Sequence, residues 1–86
     1  MQVHFSRNFK KSFQKLQPRI QQQFAKRLDL FIQEPNHPQL QNHPLKGHMI
    51  GYRAFAVSGD YHVIYQIIDA KSIKLVDIGR HSQVYK

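Results

Sequence analysis

The stretch GYRAFAVSGDYHVIYQIIDAKSIKLVDI, residues 51–78, decides the fold. Three runs rich in β-branched and aromatic residues are separated by two short turn signals. Gly51–Val57 reads as one strand, and Ser58-Gly59-Asp60 as a tight turn. Tyr61–Ile68 reads as a second strand, with Tyr61, Val63, Tyr65 and Ile67 on one face. Asp69–Ser72 turns the chain again, and Ile73–Ile78 reads as a third strand. Connections this short join neighbouring antiparallel strands, so the stretch predicts a meander.

Working outward toward the N-terminus, residues 35–46 are rich in Pro, His and Asn and read as a loop. Before it, Ile20, Phe24, Leu28 and Phe31 fall on one helical stripe flanked by Ala25 and Ile32. Pro18 suits the first position of that helix, and Pro35 stops it because the residue before a proline leaves the α region. An earlier helix is expected from the N-cap Ser6 to about Leu16, with Phe9, Phe13 and Leu16 at helical spacing. Gln2–Phe5 alternates polar and apolar residues and reads as a short strand able to join an edge of the sheet. The expected fold is a single α+β domain over residues 1–86. It has an N-terminal strand, a two-helix hairpin and a three-stranded antiparallel meander in one small twisted sheet, with the helices on one face.

Composition narrows what such a domain does. The 86 residues hold 13 Lys plus Arg against 5 Asp plus Glu, a formal net charge of +8. Charge that one-sided repels itself in the compact state and points to an anionic partner. Arg7, Lys10, Lys11, Lys15, Arg19, Lys26 and Arg27 all precede the first acidic residue, Asp29. A helix made merely soluble would interleave Glu for pairing at i to i+4, and this one does not. Lys46, Arg53, Arg80 and Lys86 add charge near one end of the sheet. There is no cysteine, hence no disulfide and no thiolate metal site. Residues 1–11 carry no apolar run of signal-peptide length, and no segment reaches the roughly 20 apolar residues needed to cross a bilayer. The expectation is a cytoplasmic protein with no membrane contact.

Six histidines in 86 residues is a high count. His4, His37 and His48 have no evident partner, whereas His43, His62 and His81 lie before the meander, within its second strand and just past its last. A small sheet brings such distant positions together. Asp60 stands at the hairpin turn and Tyr85 four residues after His81. RNA cleavage by internal attack needs a base for the 2′-hydroxyl proton, cations for the phosphorane-like charge and an acid for the 5′ oxygen. Histidine titrates near neutrality and serves both proton roles, while Arg and Lys serve the charge. Clustered metal ligands, a serine-nucleophile elbow and a phosphate-binding glycine loop are all missing from the sequence; Gly47, Gly51, Gly59 and Gly79 read as turn and strand-end residues.

The segments HPLKGHMIGYRAFAVSGDYHVIYQI (residues 43–67) and LVDIGRHSQVY (residues 75–85) together resemble the RelE/YafQ group of bacterial type II toxins, and the order of elements matches over the whole chain. The resemblance implies a ribosome-dependent mRNA endoribonuclease that cuts the message in the A site without a cofactor or metal. It also implies a monomeric toxin silenced by a cognate acidic antitoxin, with ribosome and mRNA as the other partners. On the family pattern His43, Asp60, His81 and Tyr85 match catalytic positions. Lys46, Arg53, His62 and Arg80 are expected to contact RNA, Arg80 at the phosphate. His81 and His43 are expected to move protons, with Asp60 orienting a histidine or bonding the RNA and Tyr85 stacking on a base or assisting proton transfer. The chain departs from the pattern at Ala56, where YafQ-like toxins carry a further histidine, and at Val57, where RelE-like members carry an arginine. Two other readings stay open: a gyrase-poisoning toxin of the ParE type, which shares the fold without a nuclease site, and a nucleic-acid-binding module with no activity.

Overall fold

A computed structural model describes residues 1–85; Lys86, counted among the sheet-end cations, lies outside them. The elements run β1 (Gln2–Phe5), α1 (Arg7–Gln14), α2 (Pro18–Gln33), β2 (His43–Pro44), β3 (Arg53–Ser58), β4 (Tyr61–Asp69), β5 (Ser72–Arg80) and α3 (His81–Val84). Single 3-10 turns at Pro38–Leu40 and Gly47–Met49 interrupt the long loop. The local signals act as read. The Ser6 hydroxyl accepts from the Phe9 N–H at 2.9 Å and caps α1, and Pro18 opens α2. Gly59 sits at φ 53° in the β3–β4 turn, backbone that favours glycine.

The sheet is larger and less uniform than a three-stranded meander. It has five strands in the order β1-β5-β4-β3-β2. The β3–β4–β5 core is antiparallel, as expected, and β2 adds antiparallel to β3. β1 pairs with β5 in parallel, from Gln2 opposite Ser72 to Phe5 opposite Leu75, so the sheet is mixed. A pairing between the first and last strands leaves no local trace in either. β2 is two residues long and carries no periodicity to find.

Antiparallel partners point to the same side, which sorts the strands into two faces. One face lies under the helices. There Phe9, Ile20, Phe24, Phe31, Leu40, Phe55, Val57, Val63, Tyr65, Ile73, Leu75 and Ile78 form the main core. Its aromatics interlock: Phe31 stacks on Phe55 at 4.9 Å, and Phe13 meets Phe24 edge-on at 5.3 Å. Of the four β4 residues expected on this face, Val63 and Tyr65 are buried and Tyr61 packs at the border. Ile67 is 57% exposed, because β4 runs on past the helices that cover its neighbours. The opposite face carries a smaller cluster of Ala54, Ile64 and Val84, edged by Leu45, Met49, Tyr52, Val76 and Tyr85.

Beyond Leu75 the outer edge of β5 has no strand beside it, since the next residue of the first strand's chain, Ser6, only bonds back to the Leu75 carbonyl. Side chains occupy that edge instead. Ser6 Oγ and Asn8 Nδ2 donate to the Val76 carbonyl at 2.9 and 3.1 Å. Asp77 Oδ1 accepts from the Ile78 N–H, and Gln83 Oε1 from the Arg80 N–H, both at 2.9 Å. Among the described residues, no helix is long and apolar enough to cross a membrane.

Candidate active site

The β3–β4 hairpin and the end of β5 bring residues 60–62 together with residues 79–85. His62 on β4 is directly opposite Gly79 on β5, and Tyr61 opposite Arg80. The chain leaves β5 at Arg80 and turns at once into α3, whose first N–H, from His81, donates to the Asp60 carbonyl at 3.0 Å. That bond hangs α3 on the hairpin turn. Val84 is buried against Ala54 and Ile64 and holds the other end down. α3 then lies across Gly79. A Cβ at Gly79 would stand 2.9 Å from Gln83 Oε1 and 3.3 Å from Val84 Cγ1. Gly79 is therefore a packing glycine that admits α3, a tighter role than the strand end read from the sequence; Gly47 and Gly59 take positive φ in turns as expected, and Gly51 does so too, so that β3 starts at Arg53 and not at Gly51.

The result is a cluster of three rings on the face away from the helices. The His81 and Tyr85 rings lie 4.3 Å apart between centroids, those of His62 and Tyr85 5.8 Å, and those of His62 and His81 6.0 Å. The His62 Nδ1 faces the Asp60 carbonyl at 3.1 Å. A carbonyl only accepts, so Nδ1 donates this bond; in the neutral tautomer that does so the lone pair sits on Nε2, as a general base needs. Asp60 thus orients both histidines, but through its main-chain oxygen and not its carboxylate. Arg80 is fully exposed; its Nε donates to the Tyr61 hydroxyl at 3.3 Å, with the guanidinium 5.6 Å from that ring's centre. The bond to Tyr61 and that ring's charge raise the Arg80 pKa further above its ordinary value, so it is a permanent cation. The Tyr85 hydroxyl is buried with no hydrogen-bond partner among the described residues. Burial pushes its pKa up, so near neutrality it is a phenol and not a phenolate.

The other expected residues fall elsewhere. His43 is exposed on β2, on the same face as His62, but two strands and roughly 10 Å across the ladder away. Its Nδ1 faces the Gln41 carbonyl at 2.8 Å, again leaving Nε2 free. Lys46 is exposed on the loop after β2, at the start of the 3-10 turn Gly47–Met49. Arg53 does not stand with the histidines. It pairs with Tyr65 and so points to the helix-covered face, where its Nε donates to Asn42 Oδ1 and Tyr65 Oη, both at 3.2 Å. There it ties the long loop to the sheet. His37, read as without a role, caps the turn Pro38–Leu40 by accepting from the Gln39 N–H at 3.1 Å. The departure at Ala56 acquires a geometry: Ala56 is the cross-strand partner of His62, on the same face. Cβ atoms of such partners lie about 5 Å apart, so an imidazole missing from β3 is offered from the neighbouring strand. The sequence reading missed Gly79 and Gln83, which seat α3, and the Tyr61–Arg80 pair. Among the described residues, no three His, Cys, Asp or Glu side chains gather as they would around a metal ion.

The whole chain, residues 1–86, matches the family described as the bacterial toxin of type II toxin-antitoxin system, YafQ. A RelE-like toxin protein of Escherichia coli is 34% identical over 87 residues, covering 98% of this chain and 88% of that protein. Among solved structures, YafQ from E. coli strain BL21(DE3) superposes with a TM-score of 0.82 at 23% identity, covering 98% of this chain and 97% of its own. YafQ in the E. coli DinJ–YafQ toxin–antitoxin complex superposes with a TM-score of 0.79 at 23% identity, covering 98% and 96%. The hairpin and α3 that gather His62, His81 and Tyr85 thus sit on a shared fold, and the match over all 86 residues makes this chain a toxin of a type II toxin–antitoxin system, a member of the YafQ family.

Proposed function

We propose that the toxin is a metal-independent endoribonuclease that cleaves mRNA in the ribosomal A site. The observation that carries this reading is the ring cluster of His62, His81 and Tyr85, with the exposed Arg80 cation held by Tyr61 at the end of β5, one residue before His81. In the proposed step the lone pair on His62 Nε2 takes the proton from a ribose 2′-hydroxyl. The 2′ oxygen attacks the adjacent phosphorus, the bond from phosphorus to the 5′ oxygen breaks, and protonated His81 gives its proton to that oxygen. The products are a 2′,3′-cyclic phosphate and a 5′-hydroxyl. Arg80 balances the charge on the phosphoryl oxygens in the transition state. Tyr85, held as a neutral phenol under His81, supports the imidazole and offers a face to a base. His62 takes the role that the family pattern gives to a histidine at position 56, and the proton-transfer pair becomes His62 and His81. His43 and Lys46 contact RNA farther along the same face.

The partners follow from charge and from the family. The DinJ–YafQ structure is of a toxin–antitoxin complex. For the present chain, the cationic exposed side of α1 and α2 suits both ribosomal RNA and an acidic antitoxin. A ribosomal target places its action in the cytoplasm.

The test is to map the 5′ ends of mRNA after induction, and then to incubate purified toxin with a defined message with and without ribosomes. Cuts at defined in-frame positions, only with ribosomes, are expected. Growth arrest with intact mRNA would overturn the reading and favour gyrase poisoning.

A further inference from the structure

An open polar groove of about 490 Å³ runs along the free edge of β5, between α1 and α3. Asn8, Lys15, Tyr61, Asp77 and Gln83 line it. We propose that this groove is a nucleobase subsite, reading the Watson–Crick edge of a nucleotide next to the cut. The proposal rests on the nuclease reading above and names its sequence-determining residues.

Three observations converge on a base and not on a phosphate. First, Asp77 is one of only five acidic residues in a +8 chain. A carboxylate at the edge where RNA passes repels phosphate, but it accepts from the N–H groups of guanine, adenine or cytosine. Second, that carboxylate is half spent. Oδ1 accepts from Ser12 Oγ at 2.6 Å and from the Ile78 N–H at 2.9 Å, while Oδ2 makes no hydrogen bond among the described residues. One oxygen holds the fold and the other is available. Third, the amides are divided in the same way. Among the described residues, Gln83 gives its oxygen to the Arg80 N–H and keeps both amide protons, and Asn8 gives a proton to the Val76 carbonyl and keeps its oxygen. The groove therefore presents both donors and acceptors whose other halves are fixed by the backbone, an arrangement that holds the reading groups still.

The groove joins the catalytic cluster through two links. Tyr61 lines it and also holds Arg80, which the proposed mechanism places at the scissile phosphate. Gln83 lies two residues from both His81 and Tyr85, on the opposite side of α3. A nucleotide whose phosphate meets Arg80 thus has the groove within reach of its base.

Two substitutions with opposite expected effects test this. Asp77→Asn keeps an oxygen for Ser12 and Ile78 but turns the free acceptor into a donor. Gln83→Glu keeps the acceptor for Arg80 and turns the free donor into an acceptor. Each should change cleavage preference at one flanking position by about tenfold, a charged hydrogen bond's worth, and in opposite directions. In parallel, amide NMR shifts of the wild-type toxin are followed on titration with 2′-O-methyl trinucleotides, which cannot be cut. Saturable shifts at Asn8, Ser12 and Gln83 that differ between trinucleotides are expected, and the same spectra establish that each variant is folded. Superimposable cut maps from folded variants, or shifts confined to His62, His81 and Tyr85, would overturn the subsite and leave the nuclease reading standing. Base-selective shifts in a toxin that cuts no RNA would overturn the nuclease and leave the subsite. If Asp77→Asn does not fold, Gln83→Glu and the titration decide between these outcomes.

Discussion

The two faces of the sheet are built from the same three strands and spend them differently. Under the helices, alternate residues of β3, β4 and β5 are large and dry: Phe55 and Val57, Val63 and Tyr65, Leu75 and Ile78. On the other side the same strands present Ala54 and Ala56, His62 and Ile64, and Gly79. The small residues there are what let α3 lie close and carry His81 and Tyr85 to His62. The first face is closed by aromatic packing worth several kcal/mol per ring. The second is held by one buried valine, one main-chain bond to Asp60 and one amide bond from Gln83. Stability is concentrated on one side and the proposed chemistry on the other, which frees the second side to hold unpaired polar groups.

That division can be broken deliberately. The largest effect is expected from His81→Ala, which should lower mRNA cleavage by about 10²–10⁴-fold, the usual worth of a general acid. Its urea midpoint should stay that of wild type, because His81 is exposed. An unfolded variant, or a folded one that still cuts, would erase the distinction between faces. Phe55→Ala strikes the other side. Phe55 has no exposure and stacks on Phe31, so its loss should cost about 3–5 kcal/mol in urea denaturation. Against a typical total of roughly 5–15 kcal/mol, the variant would be near unfolding.

Smaller changes sharpen the comparison. Gly79→Ala places a methyl group 2.9 Å from Gln83 Oε1 and 3.3 Å from Val84 Cγ1. It should lower cleavage about tenfold, with a stability cost of about 1 kcal/mol, since overpacking here lifts α3 and not the core. Tyr85→Phe removes a buried hydroxyl that has no partner among the described residues, and should raise stability by about 1 kcal/mol at neutral pH. Its pH dependence has a definite sign. The folded-state pKa of Tyr85 is raised by burial. Its contribution is thus fully present below the unfolded value of about 10, and is lost as pH rises from there through the folded value. Melting curves at about pH 9 and 11 should show a larger drop for wild type than for Tyr85→Phe.

What could be read from the sequence was whatever repeats or caps locally. The meander, the helical stripes, Ser6 as a cap and Pro18 as a first helical residue all act over a few positions. The sequence reading grouped His43, Asp60, His81 and Tyr85; the hairpin and the adjacent third strand bring the last three together with His62, whereas His43 falls two strands away. The parallel pairing of β1 with β5 was not legible, since nothing in Gln2–Phe5 specifies its partner or direction. Nor was the side taken by Arg53. Residues 53 and 62 lie on different strands, and only the register, with Arg53 opposite Tyr65 and Ala56 opposite His62, assigns them to opposite faces. A single step in register exchanges the two sides, so charge counted along the chain does not locate a charged patch.

The pairing of Gln2 with Ser72 also sets a schedule. β1 is the first strand made, and its only sheet neighbour is made 70 residues later (72 minus 2). At about 5–20 residues per second, the N-terminal strand waits roughly 4–14 seconds for a partner. His81 and Tyr85 are made later still. The helices α1 and α2 are therefore synthesised before the strands they cover, and the cluster of His62, His81 and Tyr85 cannot assemble until α3 has followed β5.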